Sequence, residues 1–269
     1  MRVCMPPDIT LPPEVATKLG VTRQIQFFDG GQKYVFIVEC GKSYCVVKML
    51  KGDPDRDQRE LKFYLENEEY NGIPKVIDHF TYNNDLVVIE EYIEGKSLSD
   101  HIKAGTYLKN DPMIVKLIYK ICAIMDPFWM QGIVHRDLKP DNIIIKHNED
   151  PVVIDFGIYK NPANSTITST HFQPHSWQFG APEQLIPDKT SISNRTDYFS
   201  IGIISYVLKY GGLPFGDTEE GVKENYASNN LSFYTEPGCI FKKFWEKIFQ
   251  VSISGRPRNT KLFLEGIEI

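Results

Sequence analysis

Residues 133–145 read IVHRDLKPDNIII. Three acidic or amide groups (Asp137, Asp141, Asn142) and three basic ones (His135, Arg136, Lys139) crowd into eight positions, between two apolar runs. A solvated loop can carry such charge, but it has no need of buried flanks. Flanks of this kind hold the charges at fixed positions. The residue types then suggest chemistry on an anion. Asp137 offers a proton acceptor, Lys139 a cation two places on, and Asn142 a hard oxygen ligand for a metal ion.

The segments on either side are regular. After the loop, NIIIKHNEDPVVIDFG reads as a hairpin that delivers a second hard oxygen donor, Asp155, thirteen residues beyond Asn142. Before it, PMIVKLIYKICAIM has helical periodicity. Pro127 follows, and a proline inside a helix costs about 3 kcal/mol, so a kink or early stop is expected there. Residues 160–176, KNPANSTITSTHFQPHS, are polar and without period and read as a loop. TDYFSIGIISYVLKYGG reads as an apolar helix ended by glycine. The tail, CIFKKFWEKIFQVSISGRPRNTKLFLEGI, reads as two helices.

The front of the chain has a different character. RQIQFF and YVFIVE are strand-like and separated by DGGQK, a glycine turn signal. YCVVKML follows as a third strand. GDPDRDQRELKFYLENEE reads as a helix, with Asp53 able to cap it and Pro54 suited to its first position. HFTYNN and DLVVIEEYI suggest two more strands around an Asn-Asn turn. The proline-rich residues 1–22 are set apart as an N-terminal extension. A sheet-rich front and a helix-rich back suggest two lobes.

Composition narrows the function. Hydrophobic content of 42% and charged content of 24% are those of a soluble globular chain. A net charge of -5 argues against a nucleic-acid binder. The five cysteines are odd in number and form no C-x-x-C pair, which argues against zinc and fits a reducing, cytoplasmic setting. No apolar run approaches the roughly 18 residues of a membrane span, and no membrane association is expected. Residues 1–15 lack the continuous apolar core of a signal peptide.

The order of the charged residues is more specific than any one of them. Lys48 lies on the third strand and Glu60 on the following helix. H-R-D-L-K-P-D-N comes next, then D-F-G at 155–157, then A-P-E at 181–183. This series resembles the protein-kinase signature set, over residues 23–269. The resemblance implies an α+β, two-lobed fold. Its small β-rich N-lobe (about 23–92) carries one key helix, its mainly helical C-lobe covers about 93–269, and ATP binds in the cleft between. The residues after the base resemble the serine/threonine group, and the A-P-E segment favours a protein substrate, whose identity stays open. ATP and Mg²⁺ are the implied cofactors.

Roles follow from the resemblance, residue by residue. Asp137 is the expected catalytic base, and Lys139 contacts the transferred phosphate. Asn142 and Asp155 hold magnesium. Lys48 binds the α- and β-phosphates and pairs with Glu60, with Glu66 as second choice. Glu91 and Tyr92 resemble the hinge that contacts adenine. Glu183 resembles the A-P-E glutamate that pairs with a late arginine, here Arg256, and Asp197 the structural aspartate of a buried helix. Arg136 resembles the arginine that awaits a phosphate on the activation loop, where Ser165, Thr166, Thr168, Ser169 and Thr170 are available. Ser176 falls where serine/threonine kinases carry a threonine beside the base.

Two positions depart from the pattern. The family's G-x-G-x-x-G-x-V becomes FDGGQKYV, residues 28–35. Gly30 is in place with Gly31 beside it, Val35 closes the motif, and Lys33 stands where the third glycine belongs. Glu90 occupies the position before the hinge, usually apolar or a small hydroxyl. A buried carboxylate there is costly unless paired. Either Glu90 has a partner, or the register slips by one and Ile89 fills the site. The degenerate glycine loop keeps a pseudokinase scaffold as an alternative, with a small-molecule kinase as a third reading.

Overall fold

Alternating apolar residues over residues 21–91 build one five-stranded antiparallel sheet. The computed structural model describes residues 9–30, 33–51, 54–107, 109–156, 177–185 and 192–267, without the side chains of residues 55 and 56. The strands are β1 (Val21–Asp29), β2 (Lys33–Cys40), β3 (Ser43–Leu50), β4 (Val76–Tyr82) and β5 (Asp85–Glu91), in the order β1-β2-β3-β5-β4. The Asn83-Asn84 turn between β4 and β5 has both φ angles positive, 49° and 70°. Asparagine tolerates that region better than most residues, and it matches the twist of a tight hairpin.

The period of two sorts the side chains onto two faces. One face carries Phe36, Val38, Val47, Met49, Val87 and Ile89. Helix α1 (Pro13–Leu19) closes it, with Val15 and the preceding Leu11 both buried. Part of the proline-rich segment set apart in the sequence thus contributes to a core. The other face carries Leu50, Leu86 and Val88, and helix α2 (Pro54–Glu66) covers it with Leu61. Asp53, the expected cap of α2, lies outside the described residues.

The chain folds as two compact units, residues 1–94 and 95–269. The second opens with a small sheet of β6 (Gly95–Ser97), β7 (Ile143–Lys146) and β8 (Pro151–Val153). A Cβ on Gly95 would lie 2.4 Å from the Ile145 carbonyl oxygen, so only glycine allows β6 to approach β7 this closely. The helices are α3 (Leu98–Lys103), α4 (Asp111–Met130), α5 (Pro182–Leu185), α6 (Asn194–Tyr210), α7 (Glu219–Ala227), α8 (Lys242–Ile248) and α9 (Thr260–Leu264). Helix α6 is buried along nearly its whole length and ends at Gly211, whose φ of 80° reverses the chain. Its Phe199 packs against Phe249, which also meets Phe215, and its Tyr206 packs against Trp245.

Pro127 does not stop α4 early: the helix continues to Met130. The residues just beyond the proline explain this. Phe128 and Trp129 are buried, and the Trp129 indole N–H donates to Asp197 at 2.8 Å. Those tertiary contacts outweigh the lost backbone hydrogen bond in the last turn. Among the described residues no helix is long and apolar enough to cross a membrane.

Candidate active site

The charged loop is fixed from three sides, all within the second unit. From α6, Asp197 accepts the backbone N–H groups of His135 (2.9 Å, Oδ2) and Arg136 (2.9 Å, Oδ1), besides the Trp129 indole. Burial pushes the Asp197 carboxyl up, while these donors and His135 pull it down. From the hairpin, the Ile154 carbonyl lies 3.0 Å from His135 Nε2, and the Asp137 N–H donates to His135 Nδ1 at 3.2 Å. The imidazole tautomer with its proton on Nε2 satisfies both. From α5, the Gln184 side chain donates to the Arg136 carbonyl (2.6 Å) and accepts the Ala181 N–H (3.0 Å).

These anchors hold Arg136 at a φ of 71°, a left-handed value that costs a non-glycine residue about 1–3 kcal/mol and turns the next side chain. That side chain is Asp137. Its Oδ2 lies 2.8 Å from Lys139 Nζ and accepts the Asn142 amide at 3.1 Å. The same amide nitrogen reaches the Asp137 carbonyl at 2.9 Å. Asn142 therefore commits its nitrogen to Asp137 and keeps its side-chain oxygen as a donor for a metal. The Ile154 N–H donates to the Asn142 carbonyl at 2.9 Å, which sets Asp155, one residue on, beside Asn142. Asp155 also has a φ of 71°, and Phe156 is buried with its ring 4.6 Å from His135. Two hard oxygen donors at the end of one hairpin fit a magnesium ion by type.

Gln184 was not anticipated: it bridges residues 48 apart in sequence, and only its place after A-P-E hinted at it. Gln184→Leu would leave a buried N–H and a carbonyl unpaired, at about 1–3 kcal/mol each. Urea denaturation followed by tryptophan fluorescence should register that loss. Stability equal to wild type would mean the amide is no clamp.

Glu183 and Arg256 meet in a buried bidentate pair, 2.8 Å at each oxygen. Thr196 donates to the same carboxylate at 2.7 Å. Arg136 is different. Its Nε is buried with no hydrogen-bond partner among the described residues, and burial lowers its pKa to about 10 against the pull of Asp197. Ser165, Thr166, Thr168, Ser169, Thr170 and Ser176 lie outside the described residues.

In the first unit, strand register sets the site. Lys48 lies opposite Val35 on β2 and Val88 on β5, and Val46 lies opposite Glu90. Lys48 and Glu90 therefore share the face covered by α2. Lys48 Nζ lies 2.7 Å from Glu90 Oε1, and both side chains are buried. Ile89 points into the opposite core, whereas Glu90 lies on the face covered by α2 and has a partner. Burial pushes its carboxyl up, and Lys48 pulls it back. Glu60, expected beside Lys48, lies with its Oε1 3.6 Å from Lys33 Nζ. The signal for Glu90 was present as a carboxylate ending the apolar run LVVI. Its partner was not legible.

The remaining first-unit residues are less committed. The Gly30 N–H donates to the Lys33 carbonyl at 3.0 Å, and Gly31 lies outside the described residues. The Glu91 N–H donates to the Lys75 carbonyl at 2.9 Å, so that group is spent within the unit. The Tyr92 ring lies 5.6 Å from Tyr44 and lines an open groove of about 580 Å³ with Ile25 and Ile37.

Comparison with known proteins converges on one family. Residues 31–263 match the protein kinase domain family. Over 199 residues the chain is 30% identical to a probable serine/threonine-protein kinase of Clostridium perfringens, covering 71% of this chain and 29% of that one. A probable serine/threonine-protein kinase PknB of Lactococcus lactis is 30% identical over 66% of this chain and 29% of its own. Serine/threonine-protein kinase B of Synechocystis is 24% identical over 85% of this chain and 42% of its own. The chain thus spans less than half the length of these three relatives.

Proposed function

The chain belongs to the protein kinase family, and from that membership we propose that it transfers the γ-phosphoryl group of Mg-ATP to serine and threonine hydroxyls of proteins, its own activation loop included. The observation that carries this reading is the Asp137 carboxylate, held at 2.8 Å from Lys139 and 3.1 Å from Asn142. Asp137 orients the substrate hydroxyl and takes its proton. Lys139, 2.8 Å from Asp137, offsets charge on the transferred group. Lys48 and Lys33 bind the nucleotide phosphates, with Glu60 as their helix carboxylate. A bound magnesium ion would supply positive charge against the phosphates. Asn142 and Asp155 are the residues that would hold it. The lysine two places after the base and the names of the relatives support serine and threonine over tyrosine. Ser176 is proposed to share the acceptor site, Glu91 and Tyr92 the adenine site.

A phosphate on Ser165, Thr166, Thr168, Ser169 or Thr170 is the proposed partner of Arg136. A phosphate brings about -1.5 to -2 charge and three strong acceptors. The buried, unsatisfied Nε supports that role. The test of the function is transfer from labelled ATP to peptide pools whose only hydroxyl is serine, threonine or tyrosine. Label in the serine and threonine pools is expected; label confined to tyrosine, or none, would overturn the reading.

Asp155→Asn tests the metal role by itself. Wild-type ATP affinity should rise on adding magnesium, and losing a charged ligand should reduce that gain by about tenfold or more. Calorimetric titration with and without magnesium measures it. An unchanged magnesium dependence would remove Asp155 from the metal site.

A further inference from the structure

Strand register brings two thiols together in the first unit, on the hairpin formed by β2 and β3. Cys40 ends β2 and faces Ser43, and Cys45 lies on β3 and faces Val38. Val38 and Cys40 are two residues apart on one strand, so they share a face of the sheet. Cys40 and Cys45 are therefore diagonal neighbours on that face. Their Sγ atoms lie 3.4 Å apart, within reach of a thiol–thiol hydrogen bond. Both are free thiols. Cys45 belongs to the core that contains Val38 and Val47, and Cys40 packs against its edge. Neither has a part in the proposed phosphoryl transfer.

The two sulfurs are not equivalent. Cys45 is 7% exposed, whereas Cys40 is half-buried. Burial pushes the Cys45 thiol up to about 12, and Cys40 adds to the rise. Cys45 therefore keeps its proton, and Cys40 is the sulfur that an oxidant in solvent reaches first. We propose that Cys40 and Cys45 form a modification site, a dithiol that hydrogen peroxide converts to a reversible intramolecular disulfide. The Cys40 sulfur attacks as a thiolate, the reactive form of the group. A sulfur–oxygen bond forms, the peroxide O–O bond breaks, and Cys40 becomes a sulfenic acid. The departing hydroxide takes up the proton that Cys40 gave up. The Cys45 sulfur then attacks Cys40. An S–S bond forms, the S–O bond breaks, and the oxygen leaves as water with the Cys45 proton. The two thiols lose two electrons and two protons in all, and the peroxide is reduced to two waters.

The hairpin geometry makes the bond reversible. Diagonal neighbours in an antiparallel pair sit about 7–8 Å apart, whereas a disulfide draws its Cβ atoms to about 3.5–4.5 Å. Closing the bond therefore pulls the strand ends from their relaxed positions. Strain of this kind makes a disulfide easier to reduce. The turn that joins the strands is able to yield. Gly41 and Lys42 form it, and both are exposed. Gly41 has a φ of 64°, and a Cβ there would meet nothing within 4 Å. Cys40 and Ser43 are the last pair before this turn, so the movement falls at the hairpin tip, and the ladder from Val38 to Lys33 keeps its register.

The position of Lys42 between the two cysteines makes the bond directly detectable. Trypsin cleaves after Lys33, Lys42 and Lys48, so Cys40 and Cys45 fall on separate peptides, residues 34–42 and 43–48. Only a disulfide keeps those peptides joined. The reduced, purified chain is treated with hydrogen peroxide, its remaining thiols are alkylated, and the digest is read by mass spectrometry. The joined peptides are expected as the main disulfide product, and reduced glutathione, which structural disulfides resist, should separate them again. Cys40→Ser should abolish the product. Cys45→Ala removes the second sulfur, so the sulfenic acid on Cys40 should accumulate and be trapped by dimedone, above the level in wild type. Joined peptides that are absent, or no more abundant than pairings with Cys4, Cys122 or Cys239, would overturn the proposal. So would a bond that glutathione leaves closed, or dimedone found on Cys45 in preference to Cys40. Should Cys45→Ala fail to fold, the wild-type digest and Cys40→Ser decide the question.

Discussion

Asp137→Ala is expected to lower phosphoryl transfer by about 10²- to 10⁴-fold, the range a positioned proton acceptor contributes, and to leave the fold intact. The Asp137 side chain is partly exposed, and so is that of Lys139. Neither a large cavity nor a buried orphan charge results. The backbone geometry of the loop is held by Asp197, His135 and Gln184 and does not depend on the Asp137 carboxylate. Asp137→Asn sharpens the point. It keeps nearly the same shape but cannot take a proton, so it should be as slow as alanine. Steady-state transfer to a peptide, with thermal unfolding as control, measures both. Activity within a few-fold of wild type would remove Asp137 from the chemistry.

The largest effect on stability is expected at Arg256. Arg256→Ala should destabilise the second unit by about 3–5 kcal/mol, the scale for stranding one member of a buried ion pair. The guanidinium is fully buried, bonded to Glu183 through both terminal nitrogens, and also donates to the carbonyls of Gln250 and Val251. Its removal leaves the Glu183 carboxylate in an apolar setting with Thr196 as its remaining donor. Replacing both partners, Glu183→Leu with Arg256→Met, should cost less than Arg256→Ala alone, because no buried charge remains. Trp129, Trp177 and Trp245 all lie in the second unit, so their fluorescence during urea denaturation reports it. A loss below about 1 kcal/mol would place the pair among surface ion pairs.

What the sequence disclosed and what it hid have a common physical basis. Strands and the main helices were legible because burial repeats with a period of two or 3.6, as in YCVVKML and PMIVKLIYKICAIM. The Asn-Asn turn was legible because few residues accept its dihedrals. The charged loop was legible because its chemistry needs several residue types in a short span. Helix α1 was hidden by the prolines around it, although Val15 and Leu11 enter a core. The run of α4 past Pro127 was hidden because Trp129 finds Asp197, 68 residues away. The bond from Lys48 to Glu90 was hidden for the same reason. It depends on the register of β3 against β5, which spacing along the chain does not encode.

The most direct test is to incubate the purified chain with Mg-ATP and locate phosphate on it by mass spectrometry, beside the Asp137→Ala variant. The proposed chemistry predicts phosphoserine or phosphothreonine on the wild-type chain, within residues 165–176, and none on the variant. A wild-type chain that binds Mg-ATP yet neither gains phosphate nor passes it to any peptide would contradict it and identify a scaffold.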